Sequence, residues 1–272
     1  MVDLYKSSGL SLTWDPGEER IIFGEGITPE EYQPEIRRLQ DIKDVFYDAS
    51  QAYGMSNLYY MYRGVSVDED APIIRQAGLR FDLTVLSPGT IGGEYVKTAG
   101  HYDPYKPGTS VTWPEVYEVL NGRAHYLIQS HFPGHPDQLE KVILITAKPG
   151  DKVLIPPRFG HVTINPGNDY LIMSNWVADG VSSLHNPFQQ MKGGAYYELQ
   201  SEEVPVFVPN TNYSKLPALE RCSVTTMEEF SLITGLPFYS AFKENNQAFR
   251  FLTHPEEYNA VFESYIDELA CS

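Results

Sequence analysis

Hydrophobic and polar positions change rhythm twice along this chain. Over the first 55 residues, Ile36, Leu39, Ile42, Val45 and Phe46 recur near a helical period. Glu30 and Glu31 precede them, and Pro34 is placed for a first helical turn. The spacing predicts a helix over residues 29–46 within an N-terminal arm spanning 1–55. From Asn57 the rhythm becomes that of strands. Residues 58–62, 81–86, 93–98, 115–120, 123–129, 141–147, 151–155 and 170–176 form short runs rich in aromatic and β-branched side chains. Turn signals separate them: Ser87-Pro88-Gly89, Asn121-Gly122, Lys148-Pro149-Gly150 and Asn165-Pro166-Gly167. About eight short strands with no long helix between them predict an all-β class, a jelly-roll barrel over 56–200. Beyond residue 200 the pattern is helical again. Thr225 with Glu228 and Thr253 with Glu256 read as capping boxes. The second opens an amphipathic stripe of Tyr258, Val261, Phe262, Tyr265, Ile266 and Leu269. Residues 201–272 are therefore read as a helical extension packed on the barrel or on a second subunit.

Composition changes this picture mainly by exclusion. At 42% hydrophobic and 13% aromatic, the 272 residues can fill a substantial core. Thirty-six acidic against 20 basic side chains give a net charge of −16. That balance argues against nucleic acid and against an anionic membrane surface, both of which reward basic proteins. No apolar run reaches the roughly 18 residues a membrane span needs, and Met1-Val2-Asp3-Leu4-Tyr5 lacks the layout of a signal peptide. Two cysteines, Cys222 and Cys271, cannot make a disulfide framework, and a reducing cytoplasm fits them. An anionic substrate could bind so acidic a protein only through a metal or a local cluster of donors.

The candidate chemistry lies in two patterns. His125, His131, His135 and His254 read as structural or solvent-facing. The first pattern is Gly100-His101-Tyr102-Asp103, followed by Glu115 and then Gly122. Alternation along a strand puts residues 101 and 103 on one face, and Glu115 and Tyr117 on another shared face. The second is Gly150, then Pro156-Pro157-Arg158-Phe159-Gly160-His161, then Asn165. A histidine opening a strand after such a turn can project into a barrel mouth. His101, Asp103, Glu115 and His161 together form a nitrogen and oxygen donor set suited to one divalent Fe, Mn, Ni, Co or Zn ion rather than to Cu(I).

These residues resemble the two motifs of the cupin superfamily, a double-stranded β-helix. The resemblance narrows to the cupin-type glucose-6-phosphate isomerase family. It is carried by Leu83-Thr84-Val85-Leu86-Ser87-Pro88-Gly89, Thr98-Ala99-Gly100-His101-Tyr102-Asp103, Glu115-Val116-Tyr117-Glu118-Val119-Leu120-Asn121-Gly122 and Ile155-Pro156-Pro157-Arg158-Phe159-Gly160-His161-Val162-Thr163-Ile164-Asn165. The resemblance implies a cytoplasmic, homodimeric, metal-dependent isomerase interconverting glucose 6-phosphate and fructose 6-phosphate. It implies His101, Glu115 and His161 as metal ligands, and Thr84, Thr98 and Gly100 as the cradle of the substrate phosphate. Tyr59 and Tyr117 become substrate-contacting tyrosines, Glu115 the mover of hydrogen between C1 and C2, and His185 a substrate-handling histidine.

This chain departs from the family pattern at three places. The family's second histidine is Asp103, a tyrosine after the last barrel strand is Trp176, and the loop over 104–114 is several residues longer. An ionised Asp103 in the ligand set would cancel the remaining formal charge of a divalent site and weaken it as a Lewis acid. Its side chain is also shorter than histidine, so water-mediated ligation, or orientation of a neighbouring ligand, are alternatives to direct binding. Lys97 and Arg158 are candidate phosphate partners. An Fe(II) cupin dioxygenase, an epimerase acting on another sugar, and a non-catalytic sugar-binding cupin are the alternative functions.

Overall fold

The computed structural model describes residues 1–28, 32–51 and 53–271. The chain opens with β1 (Val2–Asp3), α1 (Tyr5–Ser8), β2 (Leu12–Asp15) and β3 (Arg20–Phe23), then β4 (Glu35–Arg38), α2 (Leu39–Ile42), β5 (Asn57–Tyr62), α3 (Ala71–Gln76) and β6 (Leu79–Leu86). Two short strands, β7 (Thr90–Ile91) and β8 (Glu94–Tyr95), precede the long run β9 (Glu115–Asn121), β10 (Ala124–Phe132), β11 (His135–Ala147), β12 (Lys152–Ile155), β13 (Gly160–Ile164) and β14 (Leu171–Ala178). Then follow α4 (Asn186–Gln190), β15 (Tyr196–Leu199), β16 (Val206–Pro209), β17 (Glu220–Ser223), α5 (Phe238–Glu244), α6 (Asn259–Glu268) and β18 (Ala270–Cys271).

Two sheets build the body. One has the order β12-β9-β14-β6-β5-β4, the other β13-β10-β11-β17-β18. In the first, β14 lies between β6 and β9, antiparallel to both, so strands distant in sequence are neighbours. The class is all-β, as the strand pattern predicts. Alternation explains the filling: Leu83, Val85 and Val116 are fully buried, while Thr84, Glu115 and Tyr117 between and beside them face the cavity described below.

The extensions depart from expectation. Residues 29–31 of the predicted N-terminal helix lie outside the described residues. The rest is not a long helix: Glu35–Arg38 pairs with β5, Pro34 sits in the loop ahead of it, and one helical turn plus a 3₁₀ turn over Lys43–Val45 follow. A ladder along the open edge of β5 outweighs the local spacing of Ile36 and Leu39. The predicted strand at 93–98 shrinks to β8 and a bridge from Lys97 to Ile164. Neither predicted capping box forms. Met227 leads into a single 3₁₀ turn over Glu228–Phe230, and the Thr253 hydroxyl turns back to donate to Arg250 O. The amphipathic stripe does hold, since Phe262 and Tyr265 are buried in α6.

The C-terminal segment covers the outer side of the first sheet. Trp176 on β14 stacks on Phe242 with ring centroids 4.5 Å apart and meets Phe249 edge-on at 5.8 Å. Beside it, Lys152 Nζ lies 3.0 Å from Glu118 Oε1, both side chains 2% exposed. Lys152 also donates to the carbonyls of Ile233 and Leu236 at 2.7 Å each, and Glu118 Oε2 accepts the Phe238 N–H at 2.8 Å. One buried ion pair thus fastens the segment entering α5 to strands β9 and β12.

The reading of the two cysteines is corrected. Cys222 and Cys271 are joined as a disulfide across the β17–β18 pair. Forty-nine residues separate them, and only the register of two short strands brings them together. Closing a loop of that length restricts the unfolded chain by up to about 4 kcal/mol. Cys271→Ser is expected to lower unfolding free energy by about 2–4 kcal/mol, read as a shift of the urea midpoint that dithiothreitol reproduces in the parent protein.

Candidate active site

Backbone geometry brings the two motif histidines together. His101 N–H donates to His161 O at 3.2 Å, and His161 N–H to His101 O at 2.9 Å. Residues that exchange both bonds in an antiparallel pair project side chains to the same side, and the imidazole centroids lie 4.3 Å apart. Glu115 opens β9 and turns its carboxylate toward them, with Oε1 3.7 Å from His101 Nε2 and Oε2 3.9 Å from His161 Nε2. One donor atom each from His101, Glu115 and His161 lies within 4.8 Å of the others. His101 Nε2 is buried without a hydrogen-bond partner, a costly arrangement unless a ligand fills the gap. The donor set and this orphaned nitrogen fit a divalent ion.

Two residues along β9, on the same face, Tyr117 donates its O–H to Glu115 Oε2 and stands 3.0 Å from His161 Nε2. Burial alone would raise the Glu115 carboxyl, but His101, His161 and the tyrosine hydroxyl together hold it down, near 2. His161 is pushed down to about 3 by burial and then by the neighbouring His101. Tyr117 is raised by burial and by the Glu115 charge. His185 packs edge-on to His101 at 5.6 Å and places Nδ1 2.9 Å from Gly100 O. A carbonyl only accepts, so Nδ1 carries the proton and Nε2 is left as an acceptor. Burial lowers the His185 pKa, which keeps the ring neutral near pH 7.

These groups border one cavity of about 340 Å³. Tyr59, Thr84, Thr98, Gly100, His101, Glu115, Tyr117, His161 and His185 all line it. Asp103 does not. It is buried beside His101, with Oδ1 3.9 Å from His101 Nε2 and no hydrogen-bond partner, and burial followed by the Glu115 charge pushes it up to about 8. The long loop over 104–114 folds back on itself, with Trp113 N–H donating to Pro104 O at 3.1 Å. Lys106 ties it to Glu256 at 2.6 Å.

Both candidate phosphate partners are corrected. Lys97 is fully buried against Glu94, Val45 O and the ring of Phe46, because successive residues face opposite ways and Thr98 takes the cavity side. Arg158 is an exposed residue paired with Glu140 at 3.1 Å. The cationic side chains that do line the cavity are Arg37, Arg63 and Arg80, together with Glu35 and Asn175. Sequence reasoning passed over them. A period of two counted back from Thr84 reaches Asp82 and Arg80 on β6, and counted on from Tyr59 it reaches Met61 and Arg63.

Gly100 is held by close packing. Its φ is 79°, and an added Cβ would come within 2.7 Å of Phe188 and 2.8 Å of Val162. Gly100→Ala is expected to cost about 2 kcal/mol or more, measured by urea unfolding, and to displace the adjoining His101.

Comparison with known proteins agrees with this architecture. A family model described as glucose-6-phosphate isomerase matches residues 36–214. The glucose-6-phosphate isomerase of Thermococcus litoralis is 29% identical over 168 residues, covering 61% of this chain and 80% of its own. That of Pyrococcus abyssi is 27% identical with the same coverage. Among solved structures, oxalate decarboxylase from Bacillus subtilis is 17% identical at a TM-score of 0.32, covering 47% of this chain and 28% of its own, too faint a likeness to build on. The family match runs from within β4 to β16 and takes in every residue lining the cavity except Glu35, and the chain belongs to the glucose-6-phosphate isomerase family.

Proposed function

We propose that this chain is a metal-dependent aldose–ketose isomerase interconverting glucose 6-phosphate and fructose 6-phosphate. The observation that carries the reading is the convergence of His101, Glu115 and His161 beside Tyr117 and His185 around one cavity of about 340 Å³. His101, Glu115 and His161 would hold one divalent Fe, Mn, Ni, Co or Zn ion. When bound, such an ion acts as a Lewis acid on substrate oxygen.

The protein's own residues supply the rest. Glu115 is ionised at neutral pH and can take a proton from one carbon and return it to the neighbouring one. Tyr117 fixes the Glu115 carboxylate through one oxygen and leaves the other facing His101. The neutral His185 offers Nε2 as an acceptor for a sugar hydroxyl. Asp103, whose Oδ1 lies 3.9 Å from that same His101 Nε2 but outside the His101, Glu115 and His161 group, is proposed to act through a water rather than to ligate directly.

The test is to strip the protein and reload it separately with Fe(II), Mn(II), Ni(II), Co(II) and Zn(II), then assay fructose 6-phosphate in a coupled reaction. Turnover is expected to fall below detection after chelation and to return with at least one ion. No turnover with any ion, despite stoichiometric binding, overturns the proposal. Oxygen uptake by the iron form would then favour a dioxygenase, whose facial ligand set is likewise two histidines and one carboxylate.

A further inference from the structure

The cavity has a second charged wall. β4, β5 and β6 lie side by side, with Arg37 opposite Tyr59 and Glu35 opposite Met61 in register. Their cavity-facing positions include Arg37, Arg63 and Arg80. Two of these guanidiniums are already committed. Asp82, fully buried, accepts from Arg63 at 2.8 Å and from Arg80 Nε at 2.9 and 3.0 Å. Arg37 is different. Among the described residues it has no carboxylate within ion-pair distance, and its Nε is buried without a hydrogen-bond partner. A buried guanidinium N–H left unpaired is unfavourable by the desolvation of a charged donor, and an arriving anion would satisfy it.

We infer that Arg37 is the group that grips the anionic end of the substrate, a phosphate monoester, and so determines specificity for the phosphorylated over the neutral sugar. The naming of a sugar phosphate rests on the function proposed above, whereas the anion subsite is argued from the cavity itself. A guanidinium presents two parallel donors that match phosphate oxygens. Tyr59, paired with Arg37 across β4 and β5, lines the same cavity. Arg37 and Arg63 both act on His185, whose ring adjoins His101, so the anion subsite and the histidine cluster border the same space. In a protein of net charge −16, an unneutralised arginine inside the cavity is the donor that can offset long-range repulsion of a phosphate.

Inorganic phosphate is the probe, titrated calorimetrically into the full-length chain at constant ionic strength. Compared with the parent, Arg37→Gln is expected to weaken phosphate binding at least tenfold, and Arg37→Lys less. Arg158→Gln, a surface control, should leave it unchanged. In steady state, Arg37→Gln should raise KM for fructose 6-phosphate tenfold or more with kcat within about threefold. Equal phosphate affinity in parent and Arg37→Gln overturns the inference, as does a parent that binds no phosphate, or a loss confined to kcat. Phosphate binding that depends on Arg37 in a protein turning over no sugar phosphate supports the inference and removes the isomerase reading instead. Urea midpoints of both Arg37 variants separate loss of the subsite from loss of the fold.

Discussion

Glu115→Gln is expected to lower turnover of fructose 6-phosphate about 1,000-fold, the middle of the range for removing a general acid–base group. The amide keeps the shape of the side chain and can still accept the Tyr117 O–H, so the surrounding geometry should persist. It cannot take up a proton. In the parent, His101, His161 and Tyr117 hold the carboxyl near 2 against the pull of burial, so the basic form is fully present at neutral pH. Metal content measured on the same preparation separates two causes. Turnover lost while His101 and His161 retain the ion assigns the loss to proton transfer, whereas loss in step with the metal assigns it to ligation. Activity within tenfold of the parent would take Glu115 out of the chemistry.

The largest expected effect on stability is at Lys152→Met. The ammonium is fully enclosed, pairs with Glu118 at 3.0 Å and donates to two carbonyls of the segment entering α5. Removing one partner of a buried pair leaves the other uncompensated, at about 3–5 kcal/mol. The cost should depend on pH. Burial pushes Glu118 up to about 7 although Lys152 opposes it. Its folded pKa is thus above its unfolded value, so its contribution to stability is fully present below about pH 4.5 and is lost as pH rises through about 7. At pH 5 the carboxyl is protonated and tolerates the missing ammonium; at pH 8 it does not. Urea unfolding of parent and variant at both pH values should show the larger difference at pH 8, and equal differences would argue that Lys152 does not govern the ionisation of Glu118.

Much of the site was legible in the chain because period-two alternation and fixed motif spacings are local properties. His101, Glu115, Tyr117 and His161 sit at positions a strand must turn inward, and the cavity gathers them. What was illegible depended on distant partners. Ile36 and Leu39 fit a helical spacing, yet the unpaired edge of β5, about twenty residues on, makes a strand of Glu35–Arg38. Lys97 looked like a phosphate donor because it adjoins Thr98, but alternation sends it the other way, onto Glu94. Arg37, Arg63 and Arg80 belong to no motif, and only the pairing of β4, β5 and β6 brings them to a common space. Cys222 and Cys271 carried no pairing signal, since the register of β17 on β18 depends on where the C-terminal segment docks.

The position of β14 between β6 and β9 bears on how this protein is made. As the chain leaves the ribosome, β6 ends at Leu86 and β9 at Asn121, but the strand that joins them in the sheet is complete only at Ala178. Until then β4-β5-β6 and β9-β12 are two fragments, each with an open edge where β14 belongs. Pairings of such long sequence separation form late and slowly, and an open edge recruits strands from other chains. Nascent chains stalled before residue 178 should therefore be the ones that most need chaperones, and His101 and His161 can face a finished cavity wall only once that strand has been inserted.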